Sequence, residues 1–145
     1  HLATALSQNA LVRAFALAAF RPMHERRIML ACVPGNQHCL GLRVVSDALE
    51  ADGWQVQYLG ADVPEAALLA QIRAWRPQWL ALSLSMPQQL PIARNTIANL
   101  KAELGSECPR IMVGGLAVNS VEDLWKTLGA ALWTADARAA CRKLT

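Results

Sequence analysis

Apolar positions along this chain follow helical and strand rhythms in alternation. Over residues 2 to 20, Leu6, Ala10, Ala14 and Leu17 form one stripe and Leu11, Phe15 and Ala18 another. That spacing predicts a helix apolar over much of its circumference. Such a helix needs neighbours on two sides, and the following segment supplies at most one. It reads as the C-terminal helix, over 1–22, of a helical module truncated by a chain that starts at His1, or as a dimer contact. Arg21-Pro22 ends it, because proline disfavours helix in the residue before it. Next, the unbroken apolar run from Ile28 to Val33 predicts a strand buried on both faces. Pro34, Gly35 and Asn36 then mark a turn. Leu42, Val45 and Leu49 return at helical spacing, with Arg43, Asp47 and Glu50 opposite and Gly53 as the stop. Trp54 to Leu59 predicts a second strand. Pro64 suits the first turn of a helix that carries Leu68, Ile72 and Trp75 and ends at Pro77. A third strand is expected over Trp79 to Leu84, then a turn around Met86 and Pro87. Ala93, Ile97, Leu100 and Leu104 mark a long helix. Arg110 to Val113 predicts a fourth strand, closed by Gly114-Gly115. Ser120 with Asp123 three residues on looks like a capping box, which predicts a helix over 121–128. A short fifth strand over 131–133 and a helix over 135–144 complete the pattern.

Five strands alternating with helices call for an α/β fold with a parallel sheet covered on both faces. The expected architecture is a flavodoxin-like, doubly wound five-stranded sheet in the order 2-1-3-4-5, with the extra N-terminal helix in front. The 145 residues suit one such domain, placed at 26–145. With 54% apolar and 17% charged residues, the chain is not disordered. Lys+Arg 14 against Asp+Glu 11 leaves +3, spread without a cluster, so neither direct nucleic-acid contact nor an anionic membrane surface is indicated. No uncharged stretch long enough to span a bilayer avoids helix breakers. Cys32, Cys39, Cys108 and Cys141 lack any metal-ligand spacing and read as thiols in a reducing compartment, the cytoplasm. The five tryptophans sit at core spacing, and His24 is expected to be solvated.

In this fold ligands bind beyond the carboxyl ends of the strands. Three loops converge there: Pro34 to Gly41, Ser83 to Pro87, and Gly114 to Asn119. No phosphate-binding glycine motif is present. Strand 1 ends in Val33-Pro34 and not in an acidic pair, which argues against a phosphoryl-accepting aspartate. Ser83 lacks the nucleophile elbow of a hydrolase. His38 is the distinctive residue. It follows the first strand, precedes a helix, and has Gly41 three residues on. A flat, bulky ligand over that loop would need a small residue there and a nitrogen donor beside it.

These residues resemble the cobalamin-binding domain family. The segment Asn36-Gln37-His38-Cys39-Leu40-Gly41, followed by Asp47, Gly53-Trp54, Leu59-Gly60 and Pro64, is similar to that family's acidic-x-His-x-x-Gly loop and its sequel. Ser83 and the Gly114-Gly115 pair resemble its Ser-x-Leu loop and Gly-Gly turn. The likeness is greatest to the sensory branch. It implies that His38 replaces the cofactor's own benzimidazole as the lower ligand to cobalt, and that Gly41 lets the corrin approach. It also implies that Ser83, with Ser85 nearby, contacts the displaced nucleotide tail, and that Gly114 and Gly115 line the slot for it. Gln37 and Cys39 complete the binding loop. Two positions depart from the family. Asn36 stands where a carboxylate would orient the imidazole, leaving only an amide oxygen to accept the ring N–H. Ser85 stands where the family has leucine. The resemblance implies a cobalamin-binding sensor or regulatory domain without catalytic activity of its own. Its partners would be a corrinoid, the helical module upstream, and a second copy or a signalling protein. The alternatives are a corrinoid carrier domain of a methyltransferase or mutase, a haem-binding sensor of the same fold, and a cofactor-free interaction domain.

Overall fold

The computed structural model describes Ala3 and residues 20–144. Strands β1 (Arg27–Cys32), β2 (Gln55–Gly60), β3 (Trp79–Ser83), β4 (Arg110–Gly114) and β5 (Leu132–Trp133) alternate with helices. These are α1 (Leu40–Ala51), α2 (Glu65–Trp75), α3 (Leu90–Leu104), α4 (Leu116–Asn119), α5 (Leu124–Thr127) and α6 (Ala137–Leu144). All strand pairs are parallel, in the order β2-β1-β3-β4-β5. This is the flavodoxin-like arrangement that the strand–helix alternation predicts. The helix expected over residues 2–20 lies, apart from Ala3 and Phe20, outside the described residues.

Because side chains alternate across a strand, the apolar runs feed two cores at once. Met29, Ala31, Leu80, Leu82 and Ile111 meet Leu68 and Ile72 of α2 and Ala93, Ile97 and Leu100 of α3 on one face. Ile28, Leu30, Cys32, Ala81 and Met112 meet Leu42 and Leu49 of α1 and Ala140 and Leu144 of α6 on the other. Each fully buried Leu or Ile contributes about 1.5–3 kcal/mol by leaving water. Trp54 and Trp79 are buried, as their spacing implies. Arg26 stacks over the Trp54 ring at 4.1 Å, and His24 meets it edge-on. His24 is therefore not simply solvated: its Nδ1 also accepts the Arg26 backbone N–H at 3.2 Å.

The segment after β4 departs from expectation. Of the helix expected over 121–128 only the single turn α5 forms, and another single turn, α4, precedes it. Ser120 is the C-cap of α4, its hydroxyl donating to the Ala117 carbonyl, and does not cap the start of α5. Asp123 sits in the left-handed region at φ 58 and pairs with Lys126. The resemblance to a capping box is in letters only, since the backbone has already turned at Gly115. The last helix starts at Ala137, not at 135, with Asp136 Oδ1 accepting the Ala139 N–H at 2.7 Å.

Candidate functional site

A cleft of about 630 Å³ opens at the carboxyl ends of the strands, on the face covered by α1 and α6. Ala81 and Ser83 of β3 and Met112 and Gly114 of β4 form its floor, and small residues at three of these four positions keep that floor low. The first turns of α1, with Gly41, Leu42 and Val45, make one wall; Thr134 to Ala137 make the other. Gln37, His38 and Leu116 stand at the mouth. His38 is exposed, and so is Leu116, at 74%. A side chain at Gly41 would meet no atom within 4 Å, so the glycine leaves open space at the mouth.

The loop that carries His38 is held by buried or anchored polar groups. Asn36 is fully buried. Its Nδ2 donates to the Ser83 carbonyl at 2.9 Å, and its Oδ1 accepts the backbone N–H of His38 at 3.1 Å. That second bond is a local Asx turn. The amide oxygen is thus engaged by the backbone and not by the imidazole, contrary to the expectation that it accepts the ring N–H. Asp62, at φ 46 in the β2–α2 turn, accepts from the Gly35 N–H at 2.7 Å and from Gln37 Nε2 at 3.3 Å. Gln89 is buried. Its Oε1 takes the N–H groups of Ser85 and Met86 at 2.9 and 3.1 Å, while its Nε2 donates to the Gly35 carbonyl at 3.4 Å. Two amides and one carboxylate therefore tie the His38 loop to the neighbouring loops.

Beneath the loop, Cys32 is buried and paired in register with Ser83. Burial pushes its thiol from 9.0 up to about 12, the nearby Cys39 adds to this, and the Ser83 hydroxyl pulls the other way. Burial also raises the Tyr58 phenol, with Cys39 close by reinforcing the shift. The Tyr58 hydroxyl donates to the Cys39 carbonyl at 3.4 Å. Both groups stay protonated at neutral pH, so the ground under the cleft is uncharged.

Gln37, His38, Cys39, Gly41, Ser83, Ser85, Gly114 and Gly115 all line the cleft, and Asn36 lies behind it. Gly115 does so differently from its expected part in a slot. At φ 109, a Cβ there would run into the Leu84 carbonyl, so the glycine serves a backbone crossing. Asp62, Gln89, Thr134 and Asp136 are not singled out by sequence reasoning. Asp136 has a legible signal, an N-cap residue before an apolar-periodic stretch; Gln89 has none.

Among the described residues no group of three His, Cys, Asp or Glu side chains could hold a bare metal ion. One nitrogen donor beside a deep, mostly uncharged cleft suits instead a metal carried inside a large organic ring. Among the described residues, too, no helix is long and apolar enough to cross a membrane.

The family description "B12 binding domain" matches residues 26–144. The chain is 40% identical over 83 residues to the HTH-type transcriptional repressor CarA of Myxococcus xanthus, a match covering 57% of this chain and 28% of that protein. It is 32% identical over 88 residues to dimethylamine corrinoid protein 1 of Methanosarcina acetivorans, covering 61% and 41% respectively. The chain thus spans less than half the length of these curated relatives. A cobalamin-binding protein from Desulfitobacterium hafniense superposes with a TM-score of 0.75 at 28% identity, over 82% of this chain and 57% of that one. None of these relatives supports the haem alternative.

Proposed function

The chain belongs to the B12-binding domain family, and we propose that it holds a cobalamin with the cofactor's own base displaced and His38 in its place, as a sensor or regulatory module. The observation that carries this reading is the placement of an exposed imidazole at the mouth of a cleft with a floor of small residues. With the cofactor's base displaced, His38 would be the protein nitrogen that binds cobalt. A displaced nucleotide tail needs a narrow, uncharged channel with a few polar contacts. The strip over Ala81, Ser83 and Gly114 offers one. When bound, the corrinoid would supply the metal and its exchangeable upper ligand; the chain would supply the nitrogen of His38 and the cleft.

The regulatory role rests on the likeness to CarA. It fits a histidine with no carboxylate at position 36, since a lower ligand without that anchor can let go when the upper ligand changes. The carrier reading keeps one observation on its side, the likeness to a dimethylamine corrinoid protein. In either case residues 26–145 form the cofactor domain. A second copy or a signalling protein reads the output. The free thiols support a location in the reducing cytoplasm.

The test is an absorption titration of the chain with aquocobalamin, beside His38→Ala. The parent should saturate with a spectrum in which the native base is replaced by imidazole. The saturated variant should show water or nothing below the metal. No binding by the parent, or identical spectra, would overturn the proposal. Transfer of a methyl group from the methyl-loaded chain to a thiol acceptor at an enzymatic rate would favour the carrier reading.

A further inference from the structure

Among the buried polar groups that line the cleft, Thr134 has only a weak hydrogen-bond partner. It is 5% exposed and lines the cleft wall. Its hydroxyl faces the Met112 sulfur at 3.5 Å, a weak acceptor. Buried hydroxyls normally find a stronger partner, because leaving one short costs stability. The backbone fixes its place. The Thr134 N–H donates to the Val113 carbonyl at 3.2 Å, extending the β4–β5 ladder by one residue. Its carbonyl comes within 3.1 Å of where a Cβ on Gly114 would lie. On the other side of Gly114, in register, is Ser83. Ser83, Gly114 and Thr134 thus form one row across three neighbouring segments, two hydroxyls bracketing a bare backbone. Two interstrand steps separate the hydroxyl-bearing residues by roughly 10 Å, room for one flat heterocycle laid over the glycine.

We propose that Thr134 is a second hydrogen-bonding hydroxyl for the nucleotide-like tail, which lies over Gly114 between Ser83 and Thr134. The proposal rests on the cobalamin reading above and adds to it a residue that reads the tail and not the corrin. The same hydroxyl gives the cleft a means of preferring tailed corrinoids over tail-less ones.

The experiment compares the full chain with Thr134→Val, which keeps the side chain's shape and removes its hydroxyl. Each is titrated with aquocobalamin and with cobinamide, the corrin without a nucleotide tail. The variant should bind aquocobalamin roughly three- to tenfold more weakly and cobinamide as the parent does. Thr134→Ser against Thr134→Ala gives the same comparison, hydroxyl kept or lost at reduced size, should valine not fold. Unchanged aquocobalamin affinity in a parent that prefers aquocobalamin to cobinamide would overturn the Thr134 assignment alone. So would an equal loss for both corrinoids. A parent that binds both equally would instead contradict the tail-in-cleft reading itself.

Discussion

Asn36 shows how a single buried amide can hold a loop through both of its polar atoms. Its Nδ2 donates to the Ser83 carbonyl and its Oδ1 accepts from the His38 backbone, with no exposure to water. A carboxylate there would set a buried negative oxygen against the Ser83 carbonyl. Asn36→Asp should therefore lower stability by about 1–3 kcal/mol at neutral pH. The aspartate keeps its proton in the folded state, where it can donate to that carbonyl, so its folded pKa is raised. Stability is then nearly parental at acid pH and is lost as pH rises through that folded pKa. Urea midpoints at mildly acidic and neutral pH read this out; a variant as stable as the parent at neutral pH would contradict the hydrogen bonding described. Cys32 gives a second residue-scale test. Its thiol is raised from 9.0 to about 12 in the fold, so the unfolded chain ionises first as pH climbs. The folded state's advantage is complete below pH 9 and shrinks as pH approaches 12. Cys32→Ala should flatten the alkaline loss of stability, leaving the slope that Tyr58, Cys108 and Cys141, each also raised by burial, contribute. A slope as steep as the parent's would show the thiol is not the group responsible.

At the scale of elements, the strands and the long helices are legible in the sequence because each carries its own periodicity. The run from Ile28 to Val33 is buried on both faces, and Leu68 with Ile72, or Ile97 with Leu100, fall on a stripe. The illegible parts are held by single long-range hydrogen bonds. Gln89 looks like any polar residue in a turn, yet it joins the β3–α3 connection to the His38 loop. The region after Gly115 departs from its pattern for a related reason: a positive φ there sets the chain's direction before Ser120 is reached. The two glycines of that turn separate by experiment. Gly115→Ala places a Cβ against the Leu84 backbone at a φ that L residues avoid, and should cost about 2 kcal/mol or more whether or not a ligand is present. Gly114→Ala meets only the Thr134 carbonyl, at 3.1 Å, and the Thr134 hydroxyl, at 3.8 Å, so the cost to the fold should be smaller while the floor of the cleft rises. Thermal melts without cofactor and aquocobalamin titrations should therefore rank the two in opposite order. Position 115 should lose more stability, and position 114 more affinity per unit of stability lost. The reverse ranking would place the slot elsewhere.

Across the whole molecule, a doubly wound sheet brings the His38 loop, the end of β3 and the Gly114-Gly115 turn to one cleft although they lie far apart in sequence. That convergence is a consequence of parallel strands whose carboxyl ends all point one way, and it makes the candidate residues legible as a group from the sequence alone. The depth of the cleft and the place of Thr134 in its wall are not legible there, because both depend on how the start of α1 and the segment from Thr134 to Ala137 flank the end of the sheet. In the proposed complex the protein's own histidine, and not the cofactor's base, binds cobalt from below. Electron paramagnetic resonance of the chain loaded with the cobalt(II) form of cobalamin tests it directly. An axial nitrogen splits each cobalt line into a triplet when it is nitrogen-14 and into a doublet when it is nitrogen-15. With only the histidines labelled with nitrogen-15, the lines should become doublets, and His38→Ala should abolish the splitting. Triplets that persist in the labelled parent would show that the cofactor's base has stayed on the metal and would contradict the account.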